Sequence, residues 1–239
     1  MTAHSPAAER TFWNKWNATR EFSQGRVSTE QRAVVQRWLD AIGRRDLQLI
    51  DIGCGAGWLC EKLVPYGRVV GTDLSDEVLA RTALRVPEVE FVAGDFMQLD
   101  FGRERFDVAI SLEVLTHVAD QPAFLRKIAS LLKPGGRLML ATQNRAALEK
   151  NDLAPPEPGQ LRRWVNRDEL QQMLQVDFEI EELFSITPRH NRGPLKILNS
   201  DKVHRLLNTV GLMFILDIPT RMQERAWMGW TLMALARKR

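Results

Sequence analysis

The chain has 239 residues, 44% of them hydrophobic and 26% charged, and a net charge of +3 at pH 7. That length and apolar share suit one large domain with a full core, or one domain carrying a sizeable insertion. The small charge excess is spread along the chain, which speaks against a nucleic-acid partner, since that calls for a concentrated basic patch. The two cysteines, Cys54 and Cys60, form no CxxC pair. This usage fits a reducing cytoplasm and argues against a structural zinc site, so no metal is expected. The N-terminal segment lacks the apolar stretch of a signal peptide, and no window reaches the roughly 18 apolar residues of a membrane span.

The first elements in the chain read as helices. Phe12, Trp13 and Trp16 fall at helical spacing, and a second helix spans 28–42 with Ser28 and Thr29 as cap candidates. Strands and helices then alternate. Apolar runs of strand length occupy 47–53, 68–73, 89–93, 106–112 and 137–142. Helical segments occupy 57–66, 75–85 with Ser75 as N-cap, and 122–132, the last stopping at Lys133-Pro134-Gly135-Gly136. A proline-rich loop at 154–159 precedes a helix over 166–174 and a strand over 178–187. Residues 195–225 read as an inserted helical segment, and 227–236 alternate as a last strand. This order predicts an α/β fold: a doubly wound, seven-stranded, mostly parallel sheet covered on both faces, with right-handed crossovers. Ligands of such sheets bind beyond the carboxyl ends of the strands, where strand order reverses.

The end of the first strand carries the sharpest signal. Asp51 is followed by glycine at alternate positions, Gly53, Gly55 and Gly57, and then by Trp58. A dinucleotide turn places a third glycine where the indole of Trp58 stands, so a nicotinamide cofactor is disfavoured. An acid followed by three bare positions fits a compact, cationic ligand bearing an amino acid. Asp51 suits its ammonium group, and backbone without Cβ atoms lets it pass close.

Four further stretches follow in order: 69–73, ending in Asp73; Gly94-Asp95-Phe96; 106–117, ending in His117; and 131–138, containing Lys133-Pro134-Gly135-Gly136. Together with 51–57 they resemble the class I S-adenosylmethionine-dependent methyltransferases over roughly 47–144. The resemblance implies a Rossmann-like methyltransferase fold with N-terminal lid helices over 1–45. A donor-binding domain would span 46–239, with the helical insertion 195–225 before the last strand. It implies S-adenosylmethionine as cofactor and S-adenosylhomocysteine as product. The implied cofactor contacts are Asp51, Gly53, Cys54, Gly55, Gly57, Asp73, Leu74, Gly94, Asp95, Phe96, Leu112 and Glu113. Asp73 would take the ribose hydroxyls, since a carboxylate accepts from two vicinal donors at once. Asp95 would face the adenine amino group, and Leu74 and Phe96 would supply its apolar walls. Cys54 also reads simply as a small side chain in a tight turn, and Asp73 also as a helix cap.

Methyl transfer asks the protein mainly for proximity and alignment. A general base adds about 10²–10⁴-fold where the acceptor must lose a proton. His117, after the fourth strand, is the first candidate base, since its ordinary pKa suits neutral pH; it also reads as a loop-fixing residue. His190, in the loop after the sixth strand, is the second. Both would stand near the substrate with Trp13 and Trp16, which could close a lid and exclude water. Arg20 could meet the donor carboxylate, while His4 and His204 read as surface residues. The segment 195–225 reads as packed helices, a substrate cap, a dimer contact, or a peripheral membrane contact. The expected partner is a small-molecule acceptor, such as a natural product, quinone-like ring or glycolipid sugar, methylated at oxygen or nitrogen by a monomer or homodimer. RNA methylation and donor binding without catalysis are the alternatives.

Overall fold

The computed structural model describes residues 6–19, 21, 25–191, 196, 200–209 and 214–239. Arg20, His4 and residues 210–213 fall outside them, as does the side chain of His204. Seven strands form one sheet: β1 (Leu47–Ile52), β2 (Gly67–Asp73), β3 (Val89–Ala93), β4 (Phe106–Leu112), β5 (Leu132–Gln143), β6 (Phe178–Pro188) and β7 (Gly229–Lys238). Their order is β3-β2-β1-β4-β5-β7-β6. Strands β1 to β5 pair in parallel, and β7 runs antiparallel to both its neighbours. The order reverses between β1 and β4, where Ile52 stands beside Ser111.

Side-chain alternation sorts the core into two layers. Leu47 and Leu49 of β1, with Val108 and Ile110 of β4, pack under α2 (Arg26–Ile42), α3 (Cys60–Leu63) and α4 (Asp76–Arg85) through Val35, Trp38, Cys60 and Leu79. Ile50 and Ile52, with Ala109 and Leu140, face α5 (Gln121–Leu131) and α7 (Arg167–Leu174) through Phe124, Ile128 and Leu170. α1 (Pro6–Ala18) lies over the start of α4, and the short α6 (Arg145–Leu148) follows β5. The insertion contains α8 (Asp201–Thr209) and α9 (Phe214–Arg225), the latter tied to β6 by Ser185 Oγ donating to the Glu224 carbonyl at 2.8 Å.

Several boundaries differ from the sequence expectation for local reasons. The segment 57–66 is α-helical only over Cys60–Leu63, because the glycine turn runs on to Leu59 and Pro65 tightens 64–66 into a 3-10 helix. α2 begins at Arg26 behind Gly25. Ser28 and Thr29 therefore lie inside its first turn, where the Thr29 hydroxyl donates back to the Gly25 carbonyl at 3.2 Å. Ser75 stands at the N-cap of α4 but makes no cap bond, because its hydroxyl donates to Asp73 Oδ1 at 2.5 Å. α7 carries a reciprocal cap: Asn166 accepts from Glu169 N, and Glu169 accepts from Asn166 N, both at 2.9 Å. Asn166→Ala is expected to lower stability by about 1 kcal/mol, read as a shifted midpoint in urea unfolding with an unchanged slope.

Candidate active site

Beyond the carboxyl ends of β1, β2 and β4 lies a cavity of about 1000 Å³. Its floor begins with Gly53 and Gly55. Gly53 has a φ of +72°, and a Cβ there would overlap Val114 Cγ2, so both conformation and space require glycine. The turn is held by Gly53 N and Cys54 N, which donate to the Thr72 carbonyl at 2.7 and 3.0 Å. Gly55 N donates to Asp73 Oδ2 at 2.9 Å. The other oxygen of Asp73 accepts from Ser75 N at 2.9 Å, the Ser75 hydroxyl, and Asn17 Nδ2 at 3.3 Å. Four donors thus fill the roughly four acceptor positions of this carboxylate. Asn17 comes from α1, which Asn14 also fastens to α4 by donating to Asp76 Oδ1 at 2.8 Å and accepting from Glu77 N at 3.2 Å.

Asp73, Leu74, Gly94, Asp95, Phe96, Leu112, Glu113, His117, Trp13 and Trp16 all line this cavity with Gly53 and Gly55. Asp95 Oδ1 accepts from Met97 N at 2.8 Å, which fixes the turn after β3. Phe96 is stacked with Phe101 and set edge-on to Phe124, so its ring is a rigid wall.

Asp51, Cys54, Gly57 and His190 do not line the cavity. Asp51 shares a strand face with Leu47 and Leu49, which sends its side chain under α3 rather than past the strand end. It is 3% exposed and accepts from Cys60 Sγ at 3.2 Å. Cys54 is buried in the same layer. Gly57, at φ +69°, is bare for packing: a Cβ would stand 2.6 Å from Thr82 Cγ2 of α4. His190 lies beyond β6, where Asn151 and Asn191 clasp two loops through Asn191 N donating to Asn151 Oδ1 at 2.7 Å. Its neighbour Arg189 lines the cavity instead, its guanidinium 5.5 Å over the ring of Trp230, a second lining residue.

Burial acts in opposite directions on the two titratable groups that follow β4. His117 Nδ1 lies 2.6 Å from the Leu161 carbonyl, an acceptor only, so Nδ1 carries the proton and Nε2 does not. Its ring meets Trp13 edge-on at 4.7 Å. Burial lowers its pKa to about 4, which leaves it neutral at pH 7. Glu113 is pushed up to about 7 by burial, against the pull of its hydrogen-bond donors. Those donors are Gln31 Nε2 at 2.6 Å and Thr231 Oγ1 at 3.0 Å, with Gln143 beside them. The wall residues Asn17, Gln31, Gln143, Arg189 and Trp230 carried no motif in the sequence. Only their placement at the strand ends, or on helix faces turned toward those ends, brings them here.

A seven-stranded sheet with one antiparallel strand, opened by a glycine turn after β1 and an acid closing β2, is the Rossmann-like methyltransferase fold. Residues 50–140 match the family model described as a methyltransferase domain. A ubiquinone biosynthesis O-methyltransferase of Rhodopseudomonas palustris (strain BisB18) is 41% identical over 104 residues, 41% of each chain. The match thus spans about two fifths of that relative's length. Among solved structures, an S-adenosylmethionine-dependent methyltransferase from Mesorhizobium loti is similar with a TM-score of 0.61 and 22% identity, over 84% of this chain and 96% of that one. The N-methyltransferase NodS from Bradyrhizobium japonicum WM9, in complex with S-adenosyl-L-homocysteine, has a TM-score of 0.65 and 16% identity, over 97% and 98%. Residues 50–140 thus match a methyltransferase domain, and the sheet around them has the fold of the class I S-adenosylmethionine-dependent methyltransferases.

The buried acid under the turn yields a stability test. Burial raises Asp51 from 3.8 to about 7, whereas in the unfolded chain it ionises near its ordinary value. The folded state therefore holds a proton that the unfolded state has lost, and stability falls as pH rises from about 4 to 7. Asp51→Asn removes this cost. It is expected to raise stability by about 1–3 kcal/mol at pH 8, with the gain shrinking toward pH 5 in paired thermal melts. An equal gain at both pH values would show that Asp51 does not titrate in this range.

Proposed function

We propose that this protein transfers the methyl group of S-adenosylmethionine to an oxygen or nitrogen of a small molecule. The observation that carries this reading is one cavity lined by two kinds of group. Bare glycine backbone and the carboxylate of Asp73 share its wall with Trp13, Trp230, Arg189, Gln31, Gln143 and Glu113. The resident groups fit the donor: the glycine backbone of Gly53 and Gly55 lines the cavity, and an acid stands on the neighbouring strand. When bound, S-adenosylmethionine supplies an activated methyl group on a sulfonium.

The chain's own contribution is positioning and exclusion of water. Gly53 and Gly55 give close backbone approach, and Asp73 takes the ribose hydroxyls. Of the four donors on Asp73, Asn17 is the most distant at 3.3 Å and the one a sugar hydroxyl would replace. Leu74 and Phe96 form the apolar walls for adenine, with Asp95 at its amino edge. α1 acts as the lid, with Trp13 and Trp16 lining the cavity, whereas α2, expected to share that role, packs into the core layer through Val35, Trp38 and Leu39. The R. palustris relative is named for O-methylation in ubiquinone biosynthesis and the B. japonicum neighbour for N-methylation. A quinone-like or similarly flat acceptor suits the two tryptophans. Among the described residues no helix is long and apolar enough to cross a membrane. The unpaired Cys54 and Cys60 fit a reducing cytoplasm.

Calorimetric titration with S-adenosylhomocysteine tests the donor assignment. Wild-type protein is expected to bind, and Asp73→Ala to bind about 10- to 100-fold more weakly, as expected for losing hydrogen bonds to a charged group. Well-folded wild type that gives no binding signal would overturn the reading.

A further inference from the structure

Glu113 is built unlike any other acid around the cavity. It follows the last residue of β4 in a left-handed conformation, φ +63°, which a side-chain-bearing residue rarely adopts. Its N–H donates to the Ala141 carbonyl at 2.8 Å, so the sheet itself holds this backbone in place. Gln31 of α2 and Thr231 of β7 both donate to Oε1. Gln143 of β5 donates as well. The amide oxygen of Gln143 accepts from Trp164 Nε1 at 2.7 Å, which leaves its NH₂ end for the acid. Three donors occupy three of about four acceptor positions on the carboxyl, and the residue lines the cavity.

All three donors are neutral, and among the described residues no cation pairs with Glu113. The groups packed on it from α2, β5 and β7 do not titrate. The titratable residues sharing the cavity wall are Glu9, Asp73, Asp95, His117, Asp120 and Arg189. A carboxyl buried among neutral donors takes up a proton readily, and its pKa of about 7 lies near working pH, where a general base is most effective. His117 is placed less well for this task, because burial lowers its proton affinity far below neutrality and its Nδ1 is committed to Leu161.

We propose that Glu113 is the general base of this enzyme and that its acceptor is an aryl hydroxyl. The inference rests on the methyl-transfer reading above and assigns Glu113 to the acceptor rather than the donor. In the step, the acceptor O–H bond breaks and its proton passes to the Glu113 carboxylate. The freed oxygen pair forms the bond to the methyl carbon, and the carbon–sulfur pair stays on sulfur, leaving a neutral thioether. Neutral Glu113 then returns its proton to solvent. The flat walls of Trp13 and Trp230 suit an aromatic ring, and an uncharged amine would need no such base.

The test uses full-length protein, isotopically labelled methyl donor and catechol, with 1,2-phenylenediamine as the nitrogen counterpart of the same shape. For wild type, kcat/KM on catechol is expected to rise with pH about tenfold per unit and level near pH 7. Glu113→Gln is expected to lose about 10²–10⁴-fold in kcat and the pH limb with it. Glu113→Asp keeps the limb at a reduced rate, and His117→Gln also keeps it. Melting curves and S-adenosylhomocysteine titration, expected within about twofold of wild type, show that the variants are folded and bind donor. Glu113→Gln retaining both rate and limb would overturn the assignment of the base. Methylation of the diamine but not of catechol, or of neither ring by donor-binding wild type, would overturn the assignment of the acceptor. Wild type that binds no S-adenosylhomocysteine would instead overturn the methyl-transfer reading itself.

Discussion

The carboxylate of Asp73 accepts from the backbone of the glycine turn, from the backbone and hydroxyl of Ser75, and from the amide of Asn17. One anion thereby ties the end of β2 to the turn after β1, the start of α4 and the last turn of α1. Hydrogen bonds to a charged group contribute about 1.5–3 kcal/mol each, so this single acid dominates local order at the strand ends. The turn it steadies is otherwise glycine-rich and entropically costly to fix. The parallel sheet delivers it there: β1 and β2 run side by side with Ile52 beside Thr72, so Asp73 emerges level with the turn it holds.

From that fixed point the rest of the cavity follows by register. Ile52 pairs on its other side with Ser111, which brings Leu112 and Glu113 out beside the glycine turn. Leu112 pairs with Ala141, and Thr142 and Gln143 pair with Leu232 and Thr231 across the antiparallel junction. Gln143 and Thr231 therefore arrive together next to Glu113, although 118 residues separate Glu113 from Thr231. The antiparallel β7 is what makes this possible. It enters the sheet beside the strand ends, and its early residues, Trp230 and Thr231, sit where a parallel strand would present its last ones.

This explains which parts of the molecule the sequence discloses. Strand identity rests on apolar runs bounded by glycine and proline, so β1 to β4 and β6 are readable within a residue or two at either end. A positive-φ glycine leaves a mark because few residues can replace it. Direction within a strand also leaves a mark, through alternation. Leu47, Leu49 and Asp51 share one face, and following that face would have sent Asp51 under α3 from the outset. Gly57 illustrates the opposite case, since a bare position beside a ligand and one beside a helix look alike until Thr82 is placed. Asn17, Gln31 and Gln143 were silent, because an amide on a helix or strand end has no local signature. Their roles depend on which distant acid they meet.

The buried polar groups after β4 show how one environment sets opposite roles. Loss of water penalises charge of either sign, which keeps His117 neutral and favours protonated Glu113. His117 then becomes a strut: its Nδ1–H reaches Leu161, and its ring abuts Trp13, so it links the 3-10 turn after β4 to the 154–163 loop and to α1. Glu113 stays near its titration point because three neutral donors partly replace the water it lost. Adding a cation there would pull it toward permanent ionisation, and removing the amides would leave it permanently protonated. The amide of Gln31 at 2.6 Å, the hydroxyl of Thr231 at 3.0 Å and the amide of Gln143 hold it between those limits, so the identity of these neutral donors matters as much as that of the acid. The left-handed backbone at Glu113 belongs to the same arrangement. A residue in the ordinary extended region would continue the line of β4 and carry its side chain away from the α2 and β7 donors.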